Sequence, residues 1–293
     1  MLKISGLCKT YSPSIKALFD INLEIQKGVF GLIGPNGSGK STLMRTIATL
    51  QEPDEGSIQF DNLDVLTQKQ EMRKVLGYLP QEFGVYPMVT AENLLHHLAI
   101  LKGIVDRKER KKHVNYLLEL TNLNEHRRKK LGGFSGGMKQ RFGIAQALLG
   151  KPKIIILDEP TAGLDPNERN RFYNLISELS ENIIVVLSTH IVADVEELCN
   201  NMAIINKGEI VSQISPHSAI DSFKNKIWSK VVSRSEASLF SEKFNIISSK
   251  LYYGKVFLKV LHDEQPPGFD HVNPNIEDVY FSYTATNKKI AQR

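Results

Sequence analysis

The stretch VFGLIGPNGSGKST occupies residues 29–42. Val29–Ile33 is apolar and strand-like, and the nine residues that follow fit the pattern G-x-x-x-x-G-K-[ST] through Gly34, Gly39, Lys40 and Ser41. Glycines in such a loop let the backbone wrap closely and aim its N–H groups at phosphate oxygens. Leu43, Ile47 and Leu50 then recur at helical spacing, which predicts a helix over 40–50. Its N-terminus adds partial positive charge where the loop ends. A strand before and a helix after are the context this motif requires. The whole run Gly34, Pro35, Asn36, Gly37, Ser38, Gly39, Lys40, Ser41 and Thr42 therefore reads as a phosphate cradle. Lys40 is expected to reach β- and γ-phosphates, and the Ser41 hydroxyl to ligate Mg²⁺.

Outward from this loop, short apolar runs alternate with longer helical patterns through residues 1–220, as in a mostly parallel sheet covered by helices. Strand candidates are Leu2–Leu7, Val29–Ile33, Lys153–Leu157, Ile183–Leu187 and Met202–Asn206. Two of them, Ile154–Leu157 and Ile183–Leu187, are continuous rather than alternating, which suits strands buried on both faces. Residues 85–150 lack strong strand signals and read as a helical subdomain. Beyond about 220 the character changes. Ile227–Val232 and Lys255–Leu261 resemble strands, and 263–274 carries three prolines and a glycine and reads as a loop. Asn275 can cap a last helix with Ile276, Val279 and Tyr280 on one face. The expected fold is thus α/β, with a nucleotide-binding domain at 1–220 and a small α+β appendage at 225–293.

KPKIIILDEP at 151–160 sets two carboxylates at the end of an apolar strand, where open α/β sheets place their ligands. Asp158 fits a second metal contact beside Ser41, and Glu159 fits a general base that polarises an attacking water.

Composition bounds the rest. The 293 residues are 41% hydrophobic and 24% charged, ordinary for a globular chain. No apolar run approaches the ~18 residues of a membrane span, and MLKISGLCKTYS has no signal-peptide core. A cytoplasmic chain is expected, with any membrane role supplied by a partner. Two cysteines, Cys8 and Cys199, allow neither a zinc cluster nor a disulfide framework. The net charge of +5 sits in residues 106–130, with nine Lys/Arg against four Asp/Glu, and the remainder is neutral. A general footprint for nucleic acid is missing. The basic window reads either as a solvated helical face or as a surface for anionic lipid or an acidic partner loop.

FSGGMKQR at 134–141 adds a second glycine-rich helix start, with Met138, Phe142, Ala145 and Leu149 on one face. One nucleotide does not need two such anion-binding ends unless the second serves a neighbour. With these motifs in this order, residues 1–220 resemble the ATP-binding subunits of ATP-binding cassette (ABC) transporters. The resemblance implies a P-loop ATPase fold in which Ser135, Gly136 and Gly137 form the signature motif, here flanked by Phe134 and Met138 where the family usually has Leu and Gln. It further implies that Tyr11 stacks on adenine and that Gln81 in LPQEF contacts Mg²⁺ and senses the membrane partner. Asp165 in AGLDP would cross a dimer interface, and His190 in LSTH would contact the γ-phosphate. The implied catalytic set is Glu159, His190, Gln81 and Lys40, with ATP and Mg²⁺ as cofactors. The implied assembly is a head-to-tail pair of ATP-binding subunits under a separate integral membrane permease, on the inner face of the membrane. PNIEDVYF at 274–281 looks like the tail of exporter-type subunits. The competing reading is a soluble ABC-type ATPase acting on nucleic acid or ribosomes. Translation-factor members usually carry two cassettes per chain, and DNA-repair members carry zinc cysteines or long coiled coils; neither feature is in this sequence.

Overall fold

The structure is a computed structural model. It describes residues 1–12 and 15–290, with side chains through Thr284 in the final helix. In chain order the elements begin with β1 (Leu2–Ser12), β2 (Ile15–Ile25), β3 (Gly28–Ile33), α1 (Lys40–Ile47), β4 (Glu55–Phe60) and β5 (Leu63–Asp64). They continue with α2 (Lys69–Val75), β6 (Leu76–Leu79), α3 (Ala91–Leu101), α4 (Arg107–Leu120), α5 (Gly136–Ala147) and β7 (Ile154–Asp158). Next come α6 (Pro166–Ser180), β8 (Ile184–Thr189), α7 (Val192–Leu198), β9 (Asn201–Asn206) and β10 (Glu209–Ile214). The last are α8 (Pro216–Ser222), β11 (Ile227–Val232), α9 (Arg234–Lys243), β12 (Asn245–Tyr252), β13 (Lys255–Leu261), β14 (Asp270–His271) and α10 (Ile276–Ile290).

The main sheet has the order β10-β9-β3-β8-β7-β6, and the β9/β3, β3/β8, β8/β7 and β7/β6 pairs are all parallel. The expected parallel sheet is therefore present, with the phosphate-loop strand β3 at its centre. All five residues of β7 and all six of β8 are buried, as their continuous apolar runs predict. Burying each such Ile or Val side chain stabilises by roughly 1.5–3 kcal/mol.

The N-terminal region departs from expectation. β2-β1-β4-β5 form a second, antiparallel sheet. Its inner face (Leu2, Ile4, Leu23, Ile58) and the main sheet (Ile154, Val186, Ile205) bury α1 between them through Leu43, Met44 and Ile47. α1 ends at Ile47, short of the expected 50, because Thr49 turns left-handed at φ 61°.

The helical subdomain carries α3, α4 and α5. Thr90 and Asp106 cap α3 and α4 by accepting the amides of Asn93 and Glu109. The basic window is not uniformly a free face. Arg127 grips both carboxylate oxygens of Glu92, at 3.1 and 2.7 Å, and donates to Asn115 Oδ1 at 2.5 Å. The hydrogen bonds from Arg127 hold the Glu92 carboxyl below the usual carboxylate range. A depressed carboxylate stabilises the fold above its unfolded value and loses that contribution as pH falls through its folded value. Arg127→Glu should cost roughly 1–3 kcal/mol in stability, by stranding Glu92, and leave ATP affinity unchanged. Thermal melts at neutral pH and near pH 4 check this: the difference between variant and wild type should shrink in acid.

The chain divides into two compact units, Met1–Ile210 and Val211–Arg293, about ten residues before the change of character in the sequence. The reason is α8, which packs on α10 and so belongs with the second unit. That unit is built on an antiparallel sheet, β12-β13-β11-β14. Trp228, Val260 and Phe269 form its core with Phe240 and Phe244 packed against them. The expected loop contains the short strand β14. α9, closed by a Ser233–Glu236 capping box, and β12 had no clear sequence signal. Asn275 accepts the Asp278 amide at 2.9 Å, as expected of a cap.

Candidate functional site

β3 delivers Gly34 at the end of the central strand, and the loop turns over it into α1. A Cβ on Gly34 would lie 2.2 Å from the Ile205 carbonyl, and one on Gly39, at φ 110°, 2.5 Å from the Ala17 carbonyl. Only glycine lets the backbone pass this close. Lys40 begins α1 and is nearly buried; its Nζ donates to the carbonyls of Gly34 at 2.7 Å and Pro35 at 3.1 Å. Those carbonyls hold the ammonium over the loop. Burial pulls its pKa below the ordinary lysine value, opposed by the carboxylates of Glu159 and Asp158.

Asp158 closes β7, buried, and accepts the Ser188 hydroxyl from the neighbouring strand β8. Glu159 leaves the strand in a left-handed conformation, φ 49°, with its amide donating to the Ser188 carbonyl at 3.0 Å. Such a conformation costs a non-glycine residue of order 1–3 kcal/mol and is found where a site fixes it. It aims the side chain into the cleft. Glu159 Oε2 accepts Gln81 Nε2 at 3.2 Å and lies 3.1 Å from His190 Nδ1. Two residues from two distant segments thus meet on one oxygen of Glu159.

This cleft, about 620 Å³, is lined by Asn36, Gly37, Gly39, Lys40, Ser41 and Thr42 with Tyr11, Gln81, Glu159 and His190. Tyr11 is half exposed at its mouth and donates to Gln51 Oε1 at 2.9 Å. Gly34 and Ser38 form the buried inner layer, with Pro35 half-buried beside them. Ser135, Gly136, Gly137 and Asp165 are not among the lining residues. Ser135 caps α5 by accepting the Met138 amide at 3.2 Å, and Asp165 caps α6 by accepting the Glu168 amide at 2.9 Å.

Residues 18–162 match the family described as ABC transporter. The chain is 38% identical over 200 residues to the ABC transporter ATP-binding protein NatA of Bacillus subtilis, spanning 67% of this chain and 81% of that one. It is 39% identical over 211 residues to YxlF of the same organism, an uncharacterized ABC transporter ATP-binding protein, spanning 72% and 69%. This chain belongs to the ABC transporter family. As an ABC ATP-binding subunit it binds ATP, and it is an ATPase. Bacitracin transport ATP-binding protein BcrA of Bacillus licheniformis is 36% identical over 218 residues, spanning 73% of this subunit and 69% of BcrA. Among solved structures, a dimeric ATP-binding cassette in a post-hydrolysis state with ADP and phosphate superposes with a TM-score of 0.67 at 30% identity. That match covers 73% of this ABC subunit and 98% of the cassette.

Several residues of this ABC subunit's site are absent from the sequence reading. Ile15, Lys16 and Ala17 of β2 line the cleft, and Ser188 holds Asp158. Arg141 of α5 pairs with Glu168 of α6, which Arg171 also reaches at 3.3 Å. A Cβ on Gly137 would sit 3.1 Å from Glu168 Cγ, so the starts of α5 and α6 pack directly. Thr161, Tyr173 and Thr189 converge on the buried Asp194. A signal for Asp194 was present: it shares the buried face of α7 with Val195 and Leu198.

Proposed function

We propose that this chain powers an exporter, closing head to tail with a second ATP-binding subunit over two ATP molecules and driving a separate membrane permease from its cytoplasmic face. The observation that carries the reading is the meeting of Gln81 and His190 on Glu159 beside the phosphate loop. In it, Glu159 takes a proton from the attacking water as general base, while Gln81 and His190 orient its carboxylate. Lys40 and the loop N–H groups stabilise charge on the transferring phosphoryl group. Tyr11, at the mouth, supplies the face for adenine. Ser135–Gly137 of one subunit would complete the site of the other, with Asp165 at the shared boundary.

Mg²⁺ fits the donors present. Ser41, Gln81 and Asp158 offer hydroxyl, amide and carboxylate oxygens, the hard ligands this ion prefers. Among the described residues no cluster of three or more His, Cys, Asp or Glu could cage a metal alone. Mg²⁺ usually keeps several waters, so Ser41 and Gln81 would hold it directly and Asp158 through water, with the phosphates completing the set. When bound, it neutralises charge on the β- and γ-phosphates.

Transport is supported by the bacitracin transport relative BcrA, and export by the tail PNIEDVYF at 274–281 and by the relative named probable multidrug ABC transporter ATP-binding protein YbhF of Escherichia coli, 36% identical over 219 residues, of which the chain spans 38%. Among the described residues no helix is long and apolar enough to cross a membrane, so the reading assigns the translocation path to a partner chain. Purification from detergent-solubilised membranes should recover a multi-span permease with this chain. Recovery without one would overturn the transport partner. Lys40→Ala should weaken ATP binding by roughly 10–100-fold, because it removes one cation from two phosphates in a largely dehydrated cradle. An unchanged dissociation constant in a direct titration would sink the phosphate-loop assignment.

A further inference from the structure

Asp194 is fully buried, yet the roles assigned above do not use it. Its Oδ2 accepts the Thr161 hydroxyl at 2.5 Å and the Thr189 hydroxyl at 2.9 Å, and its Oδ1 accepts the Tyr173 hydroxyl at 2.5 Å. Among the described residues its side-chain donors are three neutral hydroxyls, so the carboxyl group is taken out of water without a cationic partner. Burying an ionised carboxylate is costly unless its oxygens are satisfied. Here one oxygen takes two bonds and the other takes one. Burial first, then the bond to Asp194, pushes the Tyr173 hydroxyl well above its ordinary pKa, so it stays a donor.

The placement of the two threonines gives the network its meaning. Thr161 lies two residues beyond Glu159, in the turn that leaves β7. Thr189 ends β8 and immediately precedes His190. Its Oγ1 also accepts the Ile191 amide at 2.9 Å, which fixes the backbone on the far side of His190. Asp194 therefore bonds to both segments that must stay in register for His190 Nδ1 to sit 3.1 Å from Glu159. The His190 side chain is half exposed. Glu159, in its left-handed conformation, depends on its surroundings for its aim.

We propose that Asp194 is a positioning residue for ATP hydrolysis, a buried carboxylate that clamps the Glu159 turn and the His190 turn in one geometry. It is not among the residues that line the cleft. Its effect passes through Thr161 and Thr189, and the inference rests on the reading of Glu159 as base. Misplacement of a reacting group by about 1 Å can cost about 10²-fold in rate while leaving the bound ground state nearly intact. The clamp should accordingly act on turnover and not on affinity, since the phosphate loop and Tyr11 lie outside it.

The test uses the full chain in five forms: wild type, Asp194→Ala, Asp194→Asn, Glu159→Gln, and the Asp194→Ala/Glu159→Gln double variant. ATP turnover, ATP dissociation constant and melting temperature are measured for each. Asp194→Ala should lose at least about 10-fold in kcat with the dissociation constant within about 3-fold of wild type. Asp194→Asn, whose amide oxygen can still accept from both threonines, should recover most of the rate. In the double variant the loss from Asp194→Ala should largely vanish, because the group it positions is gone. Should Asp194→Ala not fold, Thr189→Val and Tyr173→Phe remove single hydroxyls at near-constant shape and should each lower kcat without moving affinity. A folded Asp194→Ala with wild-type kcat overturns the proposal. A parallel fall of affinity and kcat does so too, as does an equal loss in the Glu159→Gln background. Glu159→Gln turning over at the wild-type rate would overturn the base reading itself and this inference with it. An inactive Glu159→Gln beside a normal Asp194→Ala would overturn the clamp alone.

Discussion

Glu159→Gln should bind ATP as tightly as the wild type and hydrolyse it about 10²–10⁴-fold more slowly, the span a positioned general base contributes. The substitution is nearly isosteric. With its amide oxygen in the place of Oε2, the glutamine can still accept from both Gln81 Nε2 and His190 Nδ1. What it cannot do is take a proton from water. The phosphate cradle is untouched, because Lys40 is held by the carbonyls of Gly34 and Pro35 rather than by Glu159. Lys40 would lose one of the two carboxylates that oppose the lowering of its pKa by burial, and Asp158 would remain. Affinity and turnover should therefore separate cleanly. Fluorescent-nucleotide titration beside phosphate release is the measurement. Wild-type phosphate release from folded variant protein would remove Glu159 from the chemistry. A fall in affinity matching the fall in rate would make it a binding residue instead.

What the sequence revealed of this site follows from how local each part is. The phosphate loop was legible because strand, loop and helix start are contiguous over 29–47, and the glycines serve close approaches within that stretch and to one neighbour, Ile205 or Ala17. The acidic strand end was legible for the same reason: four apolar residues and then two acids. The conformation of Glu159 was not, because its φ of 49° goes with a hydrogen bond from its backbone amide to the Ser188 carbonyl on an adjacent strand, 29 residues away. The first sheet was hidden by its own irregularity. β1 shifts register against β2 at several points after Ile4, so no simple alternation runs through Leu2–Ser12. Arg127 looked like one more charge in a basic run, and only the fold brings Glu92, 35 residues earlier, against it. Arg141 and Glu168 are 27 apart and Thr161 and Asp194 33 apart, distances at which polar partners leave no periodic trace. Asp194 alone carried a local sign, an acid on the apolar face of a short helix.

Mixing two nearly inactive proteins, one carrying Glu159→Gln and the other Ser135→Arg, should restore ATP hydrolysis. The expectation follows from where the fold puts Ser135. It caps α5, away from the cleft that holds Lys40, Glu159 and His190, and α5 is tied to the start of α6 by the Arg141–Glu168 pair. A glycine-rich helix start aimed at solvent is suited to an anion held by another molecule. If each ATP lies between one chain's phosphate loop and the other chain's Ser135–Gly137, each homodimer has two defective sites. In the mixed dimer both defects fall in one site. The other pairs the intact Glu159 of the Ser135→Arg chain with the intact Ser135 of the Glu159→Gln chain. With free exchange, half the dimers are mixed and each keeps one site of two, so about a quarter of wild-type turnover should return if sites act independently. Arginine is chosen because it blocks by bulk where the γ-phosphate should sit. Exchange is confirmed with differently tagged chains before activity is read. A quarter of the wild-type rate would support independent composite sites. A mixture no more active than the sum of its parts would mean either that each chain hydrolyses ATP by itself or that one intact site cannot turn over alone. These two are separated by adding wild-type chain to each variant. Under independent single-chain sites the rate rises in simple proportion to wild-type chain added. Under obligatory coupling it stays below that line, because every wild-type chain captured in a mixed dimer is silenced by its partner.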